Sequence, residues 1–171
     1  MNTKRRLLII AVALIALAYF FVEQSYSICV YIAGFIGYIV WSQYREGTVF
    51  LATQAFHKKD YDKTKELLAE IKNPDYLRKG RRSFYEFMQG NIALKEERIE
   101  EAEYHFQLAS RLPWKNDYEK VMVLINLANI NFRKKEYERV EAYLDVVDKL
   151  KMTHRQEEIV QKIRQEVEKY K

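Results

Sequence analysis

The residues best suited to acid–base or metal chemistry are His57, His105 and His154, the single Cys29, and acid pairs such as Glu96-Glu97 and Glu100-Glu101. A zinc site needs three or four His, Cys or carboxylate ligands at short fixed spacings. The three histidines share no such spacing, and no second cysteine supports them. No P-loop, G-x-G-x-x-G, H-E-x-x-H or G-x-S-x-G pattern occurs. His57 and His105 are expected on helix surfaces or paired with nearby acids. The acid pairs fall in turns and first helical turns, where a carboxylate favours the helix dipole. These residues predict no enzyme, cofactor, metal site or small-molecule substrate.

The remaining charged feature is the basic run Arg78, Lys79, Arg81 and Arg82 around Gly80. Near an anionic leaflet each such residue is worth about 1 kcal/mol, so the run could touch lipid. It could also be a solvated helix face. Contact with RNA fits less well, because the neighbouring aromatics follow a helical period and form no stacking platform. The net charge of +5 supports nucleic acid only weakly, since residues 45–171 carry 26 basic against 23 acidic residues.

The elements that position these residues repeat. Lys58–Thr64, Glu96–Ala102 and Lys134–Val140 are three charged turns of nearly one pattern, with Tyr61, Ile99 and Tyr137 every 38 residues. Twelve residues before Thr64, Ala102 and Val140 stand Ala52, Gly90 and Ala128, all small; four residues after them stand Leu68, Phe106 and Leu144, all large. Small residues at both places let two antiparallel helices touch, while the large one fills the groove to the next unit. The spacing resembles the tetratricopeptide repeat, L-G-x-x-Y, then A-x-x-x-F, then P. Gly90, Ala102, Phe106 and Pro113 match it best. Thr48, Glu86 and Leu124 stand in place of its tryptophan, and Ala55, Ala93 and Asn131 in place of its first-helix tyrosine. The unit is also four residues longer, one helical turn, which predicts longer helices between units.

This resemblance implies an all-α solenoid whose first helices line a groove for a partner protein, as a peptide or a helix. The groove would receive Phe84, Phe87, Asn91 and Leu94 from the second unit, and Met122, Ile125, Asn129 and Phe132 from the third. A one-residue shift of register would turn the same residues into core. Phe84, Phe87 and Met122 occupy places where lysines would favour an acidic tail, so an apolar or helical ligand is preferred.

Local signals set the remaining boundaries. Asn73-Pro74 reads as a cap and first residue of a long helix reaching about Glu97. Pro113 closes a helix from Ile99 to Leu112. Asn116 or Asp117 can cap the next, and Thr153-x-x-Gln156 is a capping box for a last helix with the stripe Ile159, Ile163 and Val167. That helix, within residues 153–171, would cover the last open face. The repeats are placed at about 45–74, 75–113 and 114–152.

Residues 1–44 are different. Lys4, Arg5 and Arg6 precede the uncharged Leu7–Val22; a polar break at Glu23–Ser27 separates it from the uncharged Ile28–Trp41. These predict a two-helix transmembrane hairpin with spans at about 7–22 and 28–43, Tyr19, Tyr26, Trp41 and Tyr44 at the interfaces, and Ala33 and Gly37 facing Ala11 and Ala18. A signal peptide is the alternative, against which the stretch is long and no A-x-A site follows. Basic residues before the first span and after the second (Arg45, Lys58 and Lys59) place both termini in the cytoplasm, at the cell membrane or a bacterial inner membrane. With no linker at the junction, the second span should run into the first repeat helix, straight or kinked at Gly47. The sequence thus predicts a membrane-anchored, non-catalytic scaffold, or a membrane-organising protein with a lipid-binding basic face.

Overall fold

The computed structural model describes the backbone of residues 3–170; the side chains of residues 3–8, 10, 39, 40 and 42–46 lie outside the described residues. The roles predicted for Lys4, Arg5, Arg6, Tyr44 and Arg45 therefore fall outside them. Among the described residues the protein is all-α, without a strand: α1 Thr3–Val22, α2 Tyr26–His57, α3 Tyr61–Ala69, α4 Lys79–Lys95, α5 Ile99–Arg111, α6 Asp117–Arg133, α7 Tyr137–Val147 and α8 His154–Glu168. A 3-10 turn covers Pro74–Tyr76. The chain divides into two compact units, Met1–Gly47 and Thr48–Lys171. Gly47 lies inside α2, which is assigned as one helix through it.

In the first unit α1 ends at Gln24, in the left-handed conformation (φ 57°), with Ser25 N–H bonded to Phe20 C=O at 3.0 Å. That bond closes the last turn and reverses the chain. The half-buried positions recur at helical spacing, Ala13, Ala16, Leu17 and Phe20 on α1 and, after Ser25 in the turn, Cys29, Ile32 and Ile36 on α2. The Cys29 thiol lies 3.9 Å from the Leu17 carbonyl oxygen. The small residues expected to face one another do not make this seam: Ala11, Ala18, Ala33 and Gly37 are exposed, and a Cβ at Gly37 would meet nothing within 4 Å. A different face is turned inward, on which Leu17, Phe20, Ile32 and Ile36 alternate with Ala13 and Ala16. Among the described residues no helix is long and apolar enough to cross a membrane. Leu7, Leu8 and Ile10, which belong to the first uncharged stretch, have side chains outside those residues.

The second unit is built from helix pairs with one corner repeated three times. Lys59, Glu97 and Lys135 each take the left-handed conformation, at φ 62°, 60° and 61°. The next residue's N–H reaches back five residues in each: Asp60 to Ala55 C=O, Arg98 to Ala93 C=O and Glu136 to Asn131 C=O, at 2.9–3.0 Å. This is the Schellman closure, which satisfies carbonyls that a helix end leaves open. The 38-residue period of the sequence is therefore a period of backbone geometry, held by bonds that do not depend on side-chain identity.

All nine small and large positions flagged by spacing are buried: Ala52, Gly90, Ala128, Thr64, Ala102, Val140, Leu68, Phe106 and Leu144. Where the large residue is Leu, the small residue sixteen positions earlier is Ala; where it is Phe, that residue is Gly. A Cβ on Gly90 would lie 2.8 Å from Phe106 Cε1. Glycine is required there by close approach.

The connections between pairs depart from the expectation. Asn73 caps only the 3-10 turn, its Oδ1 accepting from Asp75 N–H at 3.2 Å, and α4 begins at Lys79. Leu77 is extended (ψ 146°) and buried against the core, so burying it breaks the helix that the Asn-Pro signal opened. Leu112, before Pro113, is extended as well (ψ 153°), as a residue preceding proline must be. Asn116 flanks α6 without a side-chain capping bond, and Asp117 Oδ2 accepts from Lys151 N–H at 3.3 Å instead. The capping box at Thr153 and Gln156 forms, and Gln156 also donates to the Tyr118 carbonyl at 2.8 Å, tying α8 to α6. Val160 joins Ile163 and Val167 in the buried stripe, and Ile159 is only half-buried.

Candidate functional site

The eight residues predicted to line a groove occupy one row on α4 and the same row one period later on α6. The two rows are not equivalent. On α4, Phe84 packs against Trp114 (ring centroids 5.1 Å apart), and Phe87 meets Phe56, Phe106 and Trp114 at 5.8–6.1 Å. Edge-to-face packing of this kind adds about 0.5–1.5 kcal/mol per pair beyond area burial. Asn91 donates its side-chain amide to the Phe87 carbonyl at 2.7 Å, within its own helix. The places of Phe84 and Phe87 are filled by the protein's own side chains, with Trp114, which the sequence reading left out, closing them.

On α6, Ile125 is buried in the core and lines no surface, a correction to its predicted place in the groove. Its helical phase puts it beside Leu124 and Ala128, on the side that packs. Met122 and Asn129 are exposed, and Phe132 rests half-buried against Tyr137 and Tyr170 at 5.7 and 6.0 Å. A hollow of about 290 Å³ opens here, lined by Leu94, Asn126, Asn129, Ile130, Phe132 and Arg133. A second, of about 150 Å³, adjoins it through Asn129 and Phe132 and is completed by Lys162, Ile163 and Glu166 of α8. The structure thus brings together Leu94, Asn129 and Phe132 of the predicted set. It adds Asn126, Arg133 and Lys162, whose side chains bond to none of the described residues. Asn126 and Arg133 stand three before and four after Asn129, the helical spacing that could have announced them.

The basic run is dispersed. Arg82 is engaged: its guanidinium bonds Asp75 and, through Nε at 2.6 Å, the buried Glu86 carboxylate. Partial burial disfavours its charge, but the bonds to the two carboxylates outweigh that and hold its pKa above the ordinary arginine value. Arg81 lies over the exposed Phe50 ring, 5.8 Å from its centroid. Arg78 and Lys79 are exposed.

The buried Glu86 stands in the place of the motif's tryptophan. His105 Nδ1 lies 2.7 Å from its other oxygen, and His105 Nε2 lies 3.9 Å from Glu101. The expectation that His105 pairs with acids holds, whereas His57 is exposed. Both oxygens of Glu86 are engaged, Oε1 by Arg82 on its own helix and Oε2 by His105 on α5, so the carboxylate serves as a structural tie between α4 and α5. A second carboxylate, Glu103 on α5, receives Lys134 at 2.5 Å, Arg139 at 3.5 Å and Asn131 at 3.4 Å. Desolvation alone would raise its pKa; the Lys134 ammonium, then Arg139 and the Asn131 amide, outweigh it and hold the carboxyl below its ordinary value. Among the described residues no cluster of three His, Cys, Asp or Glu could hold a metal ion.

No protein-family model, curated protein or solved structure matches the chain, so its repeat geometry and the open face of α6 are what its function can be read from.

Proposed function

We propose that the protein is a membrane-anchored, non-catalytic scaffold of the tetratricopeptide-like kind, which binds a partner protein on the face of α6. The hollow beside Asn129 carries this reading. Two free amides, Asn126 and Asn129, flank an apolar floor of Leu94, Ile130 and Phe132, with the unpaired Arg133 at its edge. An extended or helical segment entering it would find donors and acceptors for its main chain and apolar surface for its side chains. Anchoring is supported by the first unit, where Val12, Leu14, Ile15, Phe21, Val22, Val30, Tyr31 and Phe35 are all more than half exposed. Lipid is the solvent that favours such a surface.

Replacing Asn126 and Asn129 together by Ala tests the site. Partner retention by the purified full-length chain is expected to fall at least about tenfold, the loss of two good hydrogen bonds, with an unchanged melting temperature. Equal retention would remove the α6 face from consideration. A reporter fused after Lys171 tests the topology, since activity of one that functions only outside the cytoplasm contradicts it.

The lipid-binding reading has one observation of its own, the exposed Phe50 with Arg81 over its ring, followed in sequence by the exposed Leu51. Salt-sensitive flotation on anionic but not zwitterionic vesicles, with no protein retained, would favour it over the scaffold.

A further inference from the structure

The two joints between successive helix pairs are closed by the same bond with its charges exchanged. Lys65 Nζ on α3 lies 2.5 Å from Glu96 Oε1 at the end of α4. Glu103 Oε2 on α5 lies 2.5 Å from Lys134 Nζ at the end of α6. Residues 65 and 103 are one 38-residue period apart, and so are 96 and 134. The repeat therefore uses one joint twice, first as Lys–Glu and then as Glu–Lys. The neighbouring bond is exchanged as well: Arg98 pairs with Glu101, and one period later Glu136 pairs with Arg139. Across the three corners, positions 58, 60 and 63 read Lys, Asp, Lys; positions 96, 98 and 101 read Glu, Arg, Glu; positions 134, 136 and 139 read Lys, Glu, Arg. The sign alternates at every step.

In an array of similar units, the closest competitor for each joint is the same joint one unit further on. The corners and the small-to-large contacts repeat there, so shape discriminates weakly. Charge discriminates well. If α3 docked on the end of α6 in place of α4, Lys65 would face Lys134. Such a mispairing can arise within one chain or when two copies exchange a helix pair, a common failure of repeat proteins. Exposed ion pairs add little to native stability, but specificity is a difference between states, and a like-charge contact penalises the wrong one.

We propose that the alternating joints are a register code, by which each helix pair accepts a neighbour of opposite polarity and rejects the next unit, in its own chain or in a second copy. The code lies in Lys65, Glu96, Arg98 and Glu101 at the first joint and in Glu103, Lys134, Glu136 and Arg139 at the second. Glu96 is held below and Lys134 above its ordinary pKa, in each case first by the partner across the joint, so both pairs are charged at neutral pH.

The test inverts one joint at a time in the full-length chain. Lys65→Glu, Glu96→Lys, Arg98→Glu and Glu101→Arg keep the net charge and the pairs 65–96, 96–98 and 98–101, giving up only the longer contact of His105 with Glu101, but give both joints one polarity. Adding Glu103→Lys, Lys134→Glu, Glu136→Arg and Arg139→Glu restores alternation. After refolding in detergent with reductant at low salt, the dimer fraction is read by light scattering. The four-substitution chain is expected to form at least about fivefold more dimer than either the parent or the eight-substitution chain, an excess that 1 M salt removes. A four-substitution chain as monomeric as the parent would overturn the code, and so would an eight-substitution chain as dimeric as the four. Should the first inversion fail to refold, inverting the second joint alone produces the same like-polarity array and is read the same way.

Discussion

Asn91 and Asn129 occupy the same place in successive helix pairs and have opposite fates. Asn91 turns its amide back onto the Phe87 carbonyl, under an aromatic cover of Phe84, Phe87 and Trp114. Asn129 stands exposed between two hollows, with no side-chain partner among the described residues. The backbone around them is the same, down to the left-handed residue that ends each helix. What differs is the side chain four residues earlier. Phe87 reaches Trp114 and Phe106, whereas Ile125, one period on, turns into the core. A repeat thus fixes where a side chain stands, and its neighbours decide whether that place is core or surface.

The sharpest way to break the comparison is at the contact between small and large residues. Gly90→Ala should cost about 1–3 kcal/mol, because the new methyl overlaps a buried ring that cannot retreat. Adding Phe106→Leu gives the second pair the composition of the third, Ala128 with Leu144, and should recover part of that loss. Urea unfolding of the two single variants and the double variant measures the coupling, expected at about 1 kcal/mol or more. Additive effects would mean that the two residues do not compensate.

Acid should separate the two joints next. The Glu103 carboxyl has a folded pKa below its unfolded one, so its contribution is complete above the ordinary value near 4.5 and is lost as pH falls through the lowered folded value. Glu103→Gln should cost about 1–2 kcal/mol at pH 7 and flatten the acid loss. Glu96→Gln at the more exposed joint should do less on both counts. Thermal melts between pH 7 and pH 3 distinguish them.

The corners carry the smallest expected effect and should respond alike. Lys59→Gly, Glu97→Gly and Lys135→Gly each relieve a left-handed conformation that a side chain disfavours, and each should stabilise by about 0.5–1 kcal/mol. A loss at any one would show that its side chain does more than occupy the turn.

Much of the fold was legible because spacing survives when identity does not. The nine small and large positions, the three corners, the Pro113 boundary and the capping box are all local or periodic signals. The seam of the first unit was not legible, since Ala11, Ala18, Ala33 and Gly37 suggested the close approach while the half-buried face carries Ala13, Ala16, Leu17 and Phe20, with Cys29 reaching the Leu17 carbonyl. Nor was the late start of α4, where burial of Leu77 overrides a strong capping signal. Glu86 went unread because a carboxylate in a helix looks like surface until Arg82 and His105 are seen to bond it. The open face was half legible: Asn129 was found by period, while Lys162 belongs to a helix 33 residues further on. The alternation of sign was present in the sequence throughout, but charge reads as solvated surface until the bonds across the joints identify its partners.

A photo-crosslinking residue placed at position 129 and, separately, at position 91 tests the central claim most directly, in cells and in the full-length chain. A discrete protein adduct at 129 and none at 91 is the predicted result, because Asn129 is exposed on α6 while Asn91 bonds within its own helix under an aromatic cover. Equal adducts at both positions, or an adduct at 91 alone, would contradict it.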